Sequence, residues 1–80
     1  MITSDQIRAA RALLRWSAQE LATNAELGIS TVQRMEGAEG VPSASARNLA
    51  AVQGVLEVAG VEFTDGDSPG VRLRKGLRKP

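Results

Sequence analysis

Ser30, Gln33 and Arg34 are the residues of this chain best placed for hydrogen-bonding chemistry at a surface. They fall three and four apart in ISTVQRME, so a helix carries them together, while Val32 and Met35 lie on the opposite, apolar side. Such a row of hydroxyl, carboxamide and guanidinium on a short helix suits recognition rather than catalysis. The chain has no histidine, cysteine or tyrosine. That excludes Cys/His zinc sites, imidazole acid–base chemistry and thiol chemistry. The remaining Ser, Thr, Asp, Glu, Lys and Arg form no recognisable catalytic constellation, so neither enzyme activity nor a metal or cofactor is expected. Asp65-Gly66-Asp67 begins like a calcium loop, but the twelfth position counted from Asp65 is Gly76, where such a loop needs Glu. Polar turn residues are the simpler reading.

The row must be positioned by its neighbours, and the stretch Ser17–Glu36 reads as two short helices joined by a tight turn. Leu21, Ala22, Ala25, Leu27, Val32 and Met35 are small or medium apolar residues at the places where two crossing helices touch. That is the pattern of a helix-turn-helix, whose second helix enters the DNA major groove. Ser17 and Glu20 form a capping box that starts the first of the two helices. The amides of Ala18 and Gln19 at that positive helix end can hold a phosphate, or the cap can serve the local backbone alone. Glu26-Leu27-Gly28 makes the turn, and Gly28 is the expected N-cap of a recognition helix over 29–36.

The flanking segments complete a small helical domain. Thr3 and Gln6 have capping-box spacing, and Ile7, Ala10, Leu13 and Leu14 mark the buried face of a first helix that Trp16 closes. Trp16 reads as a packing wedge, with nucleic-acid stacking as the alternative. Residues 37–42 form a loop on composition. Ser43 is expected to cap a helix at about 44–59, with Leu49, Val52, Leu56 and Ala59 inward and Gly60 at its end. Gly54 inside that helix costs about 1 kcal/mol relative to Ala unless close packing requires it. The period then changes: Val61-Glu62-Phe63-Thr64 and Val71-Arg72-Leu73-Arg74 alternate around DGDSPG, predicting a β-hairpin with Val61, Phe63, Val71 and Leu73 on one buried face. The expected organisation is a helical domain over 1–60, a hairpin over 61–75 on the same core, and a basic tail over 76–80.

Eighty residues make one small domain, burying only about 60% of the unfolded surface. With no disulfide, a partner subunit is a natural source of further buried area. No apolar run is long enough for a membrane span and no signal-peptide pattern opens the chain, so a soluble, cytoplasmic protein is expected. The net charge of +1 divides unevenly. Residues 71–80 hold five bases and no acid (+5), whereas residues 1–70 hold five arginines against nine acids (−4). A nucleic-acid binder with an acidic body must concentrate positive charge on one face or borrow it from the tail.

RAARALLRWS leading into the S-x-x-E cap, then LA in the second helix, STVQRME, a loop with Pro42, and AGVEF…PGVRLRK together resemble the lambda-repressor/Cro-type helix-turn-helix family. The likeness is to its short single-domain regulators and covers nearly the whole chain. It implies a mainly α, lambda-repressor-like bundle of about four helices with a short C-terminal β-hairpin. It also implies a sequence-specific DNA-binding transcriptional regulator, acting as a homodimer on double-stranded DNA. Base contacts carried over by resemblance fall on Gly28, Ile29, Ser30, Gln33 and Arg34, whereas the phosphate contacts expected at Ser17, Ala18 and Gln19 rest on the positive helix end and not on the resemblance. Arg34 suits guanine, Gln33 adenine, and Ile29 a thymine methyl. Arg34 can instead pair with an acid or stay solvated, and Ile29 can pack under the preceding helix. Two positions depart from the family pattern. Ala18 stands where Gln is usual, and Gln19 lies about 100° further round the helix. Glu26 stands where Gly is usual, at a place that often needs φ > 0.

The hairpin, an edge element on a small domain, is the expected dimer contact through Val61, Phe63, Val71 and Leu73. The alternative function is a protein-interaction module, an antitoxin or anti-repressor partner, on the same scaffold. Acids around the second helix without basic neighbours would favour it. Arg72, Arg74 and Lys75 either track phosphates or solvate a strand end. Deleting residues 75–80 tests this: a tail that tracks phosphates gives weaker binding to any DNA and a flatter dependence on salt, measured by titration at several salt concentrations. An unchanged salt slope removes the tail from the electrostatics.

Overall fold

Thr3 starts the first helix, α1 (Ser4–Leu14), through both halves of the capping box. Its hydroxyl accepts from the Gln6 amide at 3.1 Å, and Gln6 Oε1 accepts from the Thr3 amide at 2.8 Å. A computed structural model describes residues 2–42, 44–64 and 67–74 of the chain. In it α1 ends two residues earlier than expected, at Leu14. Arg15 turns into the left-handed region (φ 59°), and the Trp16 amide bonds back to the Arg11 carbonyl at 3.0 Å. Trp16 therefore lies beyond the helix, half-buried against the core. Ile7 and Ala10 are fully buried, while Leu13 and Leu14 are only half-buried at the fraying end.

Two short helices follow, α2 (Ala18–Ala25) and α3 (Ile29–Gly37). The Ser17–Glu20 capping box is complete, with bonds of 3.0 and 2.7 Å. Glu26 accepts the left-handed conformation (φ 59°, ψ 43°) rather than shifting the turn, so the strain anticipated at this non-glycine position is present. Gly28 is extended (φ −72°) and serves as the N-cap of α3. Leu21, Ala22 and Ala25 pack against Val32 and Met35, small residues letting the helices cross closely.

The fourth helix, α4 (Ala46–Val58), starts two residues later than the spacing suggested. The side chain that accepts the Asn48 amide, at 3.1 Å, belongs to Ser45. Ser43, the expected cap, lies outside the described residues. Leu49, Val52 and Leu56 face the core, and the chain leaves through Gly60 at φ 111°. Strands β1 (Val61–Thr64) and β2 (Gly70–Leu73) pair antiparallel, Val61 opposite Leu73 and Phe63 opposite Val71. The described residues are thus mainly helical: four helices with a two-stranded hairpin packed onto α1 and α4.

The hairpin's apolar face is spent inside the chain. Val61 is buried, and Phe63, Val71 and Leu73 pack against the same core as Ile7 and Leu56. Gln6 ties the hairpin further, its Nε2 donating to the Thr64 and Gly70 carbonyls at 2.6 and 3.0 Å. Val61 is therefore withdrawn from any second subunit, while Phe63, Val71 and Leu73 keep only part of their apolar area in the open. Facing outward are Glu62 and Arg72, paired across the strands at 2.6 Å. Glu26→Gly relieves left-handed strain and should raise stability by about 0.5–1 kcal/mol after the added flexibility of the unfolded chain. Urea unfolding measures it, with Glu26→Ala, which keeps the strain, as the control showing no gain.

Candidate nucleic-acid interface

The α3 helix has no C-terminal cap of its own; Ala38 is extended and supplies no cap bond. Two of its last carbonyls are satisfied from α1 instead. Buried Ser4 donates from Oγ to the Met35 carbonyl at 2.5 Å, and Arg8 donates to the Glu36 carbonyl. The Ser4 amide also reaches the Gly40 carbonyl at 2.8 Å, fixing the chain where it leaves α3.

Between these contacts lies a forked ion pair. Arg11 Nε and Nη2 donate to the two carboxylate oxygens of Glu36 at 2.8 and 3.0 Å, and Nη1 reaches the Trp16 carbonyl at 2.9 Å. Glu36 is 8% exposed. The hydrogen bonds to Glu36 push the Arg11 pKa above its already high ordinary value, against the opposing effect of burial. Both partners had sequence signals that periodicity alone does not single out. Arg11 follows Ile7 by four and Glu36 follows Val32 by four, so each charge sits in an apolar row.

With Glu36 drawn inward, the outer side of α3 is left to Ser30, Gln33 and Arg34, all exposed, and to exposed Gly28 at its start. None of their side chains forms an ion pair among the described residues. Ile29 is half-buried and packs against the core, with the rest of its side chain in the open. Gly28 supplies no side-chain cap, and a Cβ there would meet nothing within 4 Å, so the N-terminus of α3 is open.

At the start of α2, Ser17 is occupied with the Glu20 amide, leaving the next-door amides of Ala18 and Gln19 as the unsatisfied donors of the first turn. The Ala18 side chain is half-buried in the core, and Gln19 is exposed with its side-chain Nε2 donating to Thr23 Oγ1 at 3.2 Å. Of the basic residues near the C-terminus, Arg72 is held by Glu62. Arg74 lies 4.0 Å from the same carboxylate and donates to the Glu57 carbonyl at 2.8 Å. Neither is a free cation beside α3, and Lys75 lies outside the described residues. Among the described residues no group of acidic side chains is arranged to hold a metal ion, and no helix is long and apolar enough to cross a membrane.

No protein-family model matches the chain, and no characterised relative matches it either.

Arg11→Ala should lower stability by about 2–3 kcal/mol, because it strands a buried carboxylate beside the end of α3. Replacing both partners, Arg11→Met with Glu36→Leu, should recover most of that loss. Urea unfolding of the single and double variants checks it; a double variant no better than Arg11→Ala would show that the charge pair is not what holds the two helices.

Proposed function

We propose that α2 and α3 are a DNA-binding helix-turn-helix and that the protein is a sequence-specific transcriptional regulator of the lambda-repressor/Cro type. The observation that carries this reading is the outer face of α3. Gly28, Ser30, Gln33 and Arg34 are exposed and uncommitted, on a helix whose one nearby inward acid is neutralised by Arg11. Flat polar side chains held on a rigid helix match base edges in the major groove. Arg34 suits guanine O6 and N7, and Gln33 suits adenine N6 and N7. The amides of Ala18 and Gln19, at the positive end of α2, are the phosphate anchor in this reading, and they act through backbone because Ala18 has no polar side chain.

One helix of this length reads only a few base pairs, so a two-fold pair on a pseudo-palindromic site supplies the rest of the specificity. The domain measures 32 × 31 × 18 Å. Such a site needs the two recognition helices about 34 Å apart, the repeat of successive major grooves. Exposed Glu26 and Glu39 near the ends of α3 favour the second reading, a module that binds another protein through the same face. DNA selection from a random-sequence pool at fixed salt separates the two. Enrichment of one palindrome supports the regulator, whereas no enrichment at low salt supports the protein-binding module.

On the selected site, Arg34→Ala should cost about 1–3 kcal/mol and relax the preference at one base pair, with little change on random DNA. Equal losses on both DNAs would reassign Arg34 to a phosphate.

A further inference from the structure

Gly54 sits in the middle of α4, where glycine is a poorer helix former than alanine, and a Cβ there would meet nothing within 4 Å. No neighbour among the described residues requires a glycine. The residue opens onto a groove of about 530 Å³ between α4, the C-terminal end of α2 and Trp16. Ala51, Val55 and Val58 line it from α4 and Ala25 from α2. Val58, on the rim, is 87% exposed, the most exposed large apolar side chain among the described residues.

We propose that this groove is an interface with a second copy of the chain, in which the two α4 helices cross antiparallel and Val58 of each copy enters the groove of the other. A knob and the hole that receives it lie on the same helix face, which is the self-complementarity a two-fold contact demands. Glycine at the crossing lets the two backbones approach closely.

Charge selects both the occupant and its direction. Arg47 stands in the first turn of α4 and Glu57 in its last, each at the end where the helix dipole disfavours it. Both are exposed, and neither has an ion-pair partner among the described residues. The cations nearest the end of α4, Arg72 and Arg74, both lie against Glu62. An antiparallel copy brings the basic end of each α4 beside the acidic end of the other, twice about the axis. A parallel copy would set like charges together. Because much of the hairpin's apolar area is used inside the chain, this proposal sets the dimer contact on the α4 groove.

The proposal does not depend on DNA binding, since the oligomeric state is measured without DNA. Sedimentation equilibrium of the full chain across the micromolar range should show a monomer–dimer equilibrium. Arg47→Glu and Glu57→Arg should each weaken it by about tenfold, and the double reversal should return it to within about threefold of the starting value. Arg47→Glu should not lower the melting temperature of the dilute monomer, because it sets a favourable charge at its own helix end. Gly54→Leu should give a folded monomer. A parent protein monomeric throughout the range overturns the proposal. So does a dimer indifferent to all four variants, or one weakened by the single reversals and not restored by the double.

Discussion

The forked pair between Arg11 and Glu36 is the contact on which the arrangement of α3 depends. A short helix that lacks its own C-terminal cap can tilt about its apolar contacts, since Val32 and Met35 fix only which face is buried. Two parallel N–H···O bonds from a planar guanidinium fix orientation as well as distance. The carbonyls of Met35 and Glu36, bonded to Ser4 and Arg8, add two further points along the same edge. The pair also removes a negative charge from the neighbourhood of the exposed row Ser30, Gln33 and Arg34. It is weak as a source of net stability, because burying two charges offsets much of their attraction. Its consequence is geometric and electrostatic.

Helix α1 is the hub of this scheme. At its first turn Gln6 holds the hairpin through the carbonyls of Thr64 and Gly70, while Ser4 holds the end of α3. One turn further on, Arg8 and Arg11 reach α3 again. Ile7 and Ala10, between them, are completely buried. The hairpin therefore acts as a lid that completes the core of a domain too small to close with four helices alone. This role commits Val61 and part of Phe63, Val71 and Leu73 to the core, while Val58 on α4 stays in the open.

Much of the fold was legible in the sequence because it rests on local rules. The capping boxes at Thr3 and Ser17 declare themselves within four residues, and the change from helical spacing to alternation at Val61 marks the hairpin. The strain at Glu26 was foreseeable from its position after α2. Boundaries were less so: Ser43 and Ser45 are both competent caps, and nothing local distinguishes them. Trp16 reads as the last residue of α1 until the backbone turns left-handed at Arg15. In the candidate site, the outward placing of Ser30, Gln33 and Arg34 followed from spacing, whereas the choice at Ile29 between ligand and core needed its neighbours.

What the amino-acid order determined by itself, then, is which segments become helix or strand and which side of each is apolar, since both follow from propensity, capping and period over a few residues. Only the tertiary structure decided where the charges go. Arg11 and Glu36 are 25 residues apart, and no local rule says that one would neutralise the other; they meet because α1 crosses the end of α3. The same holds for Arg72 and Arg74, which turn to Glu62, and for Gly54, which is left facing open space. Pairing between distant residues depends on how the helices cross, and crossing is settled by packing the whole core at once.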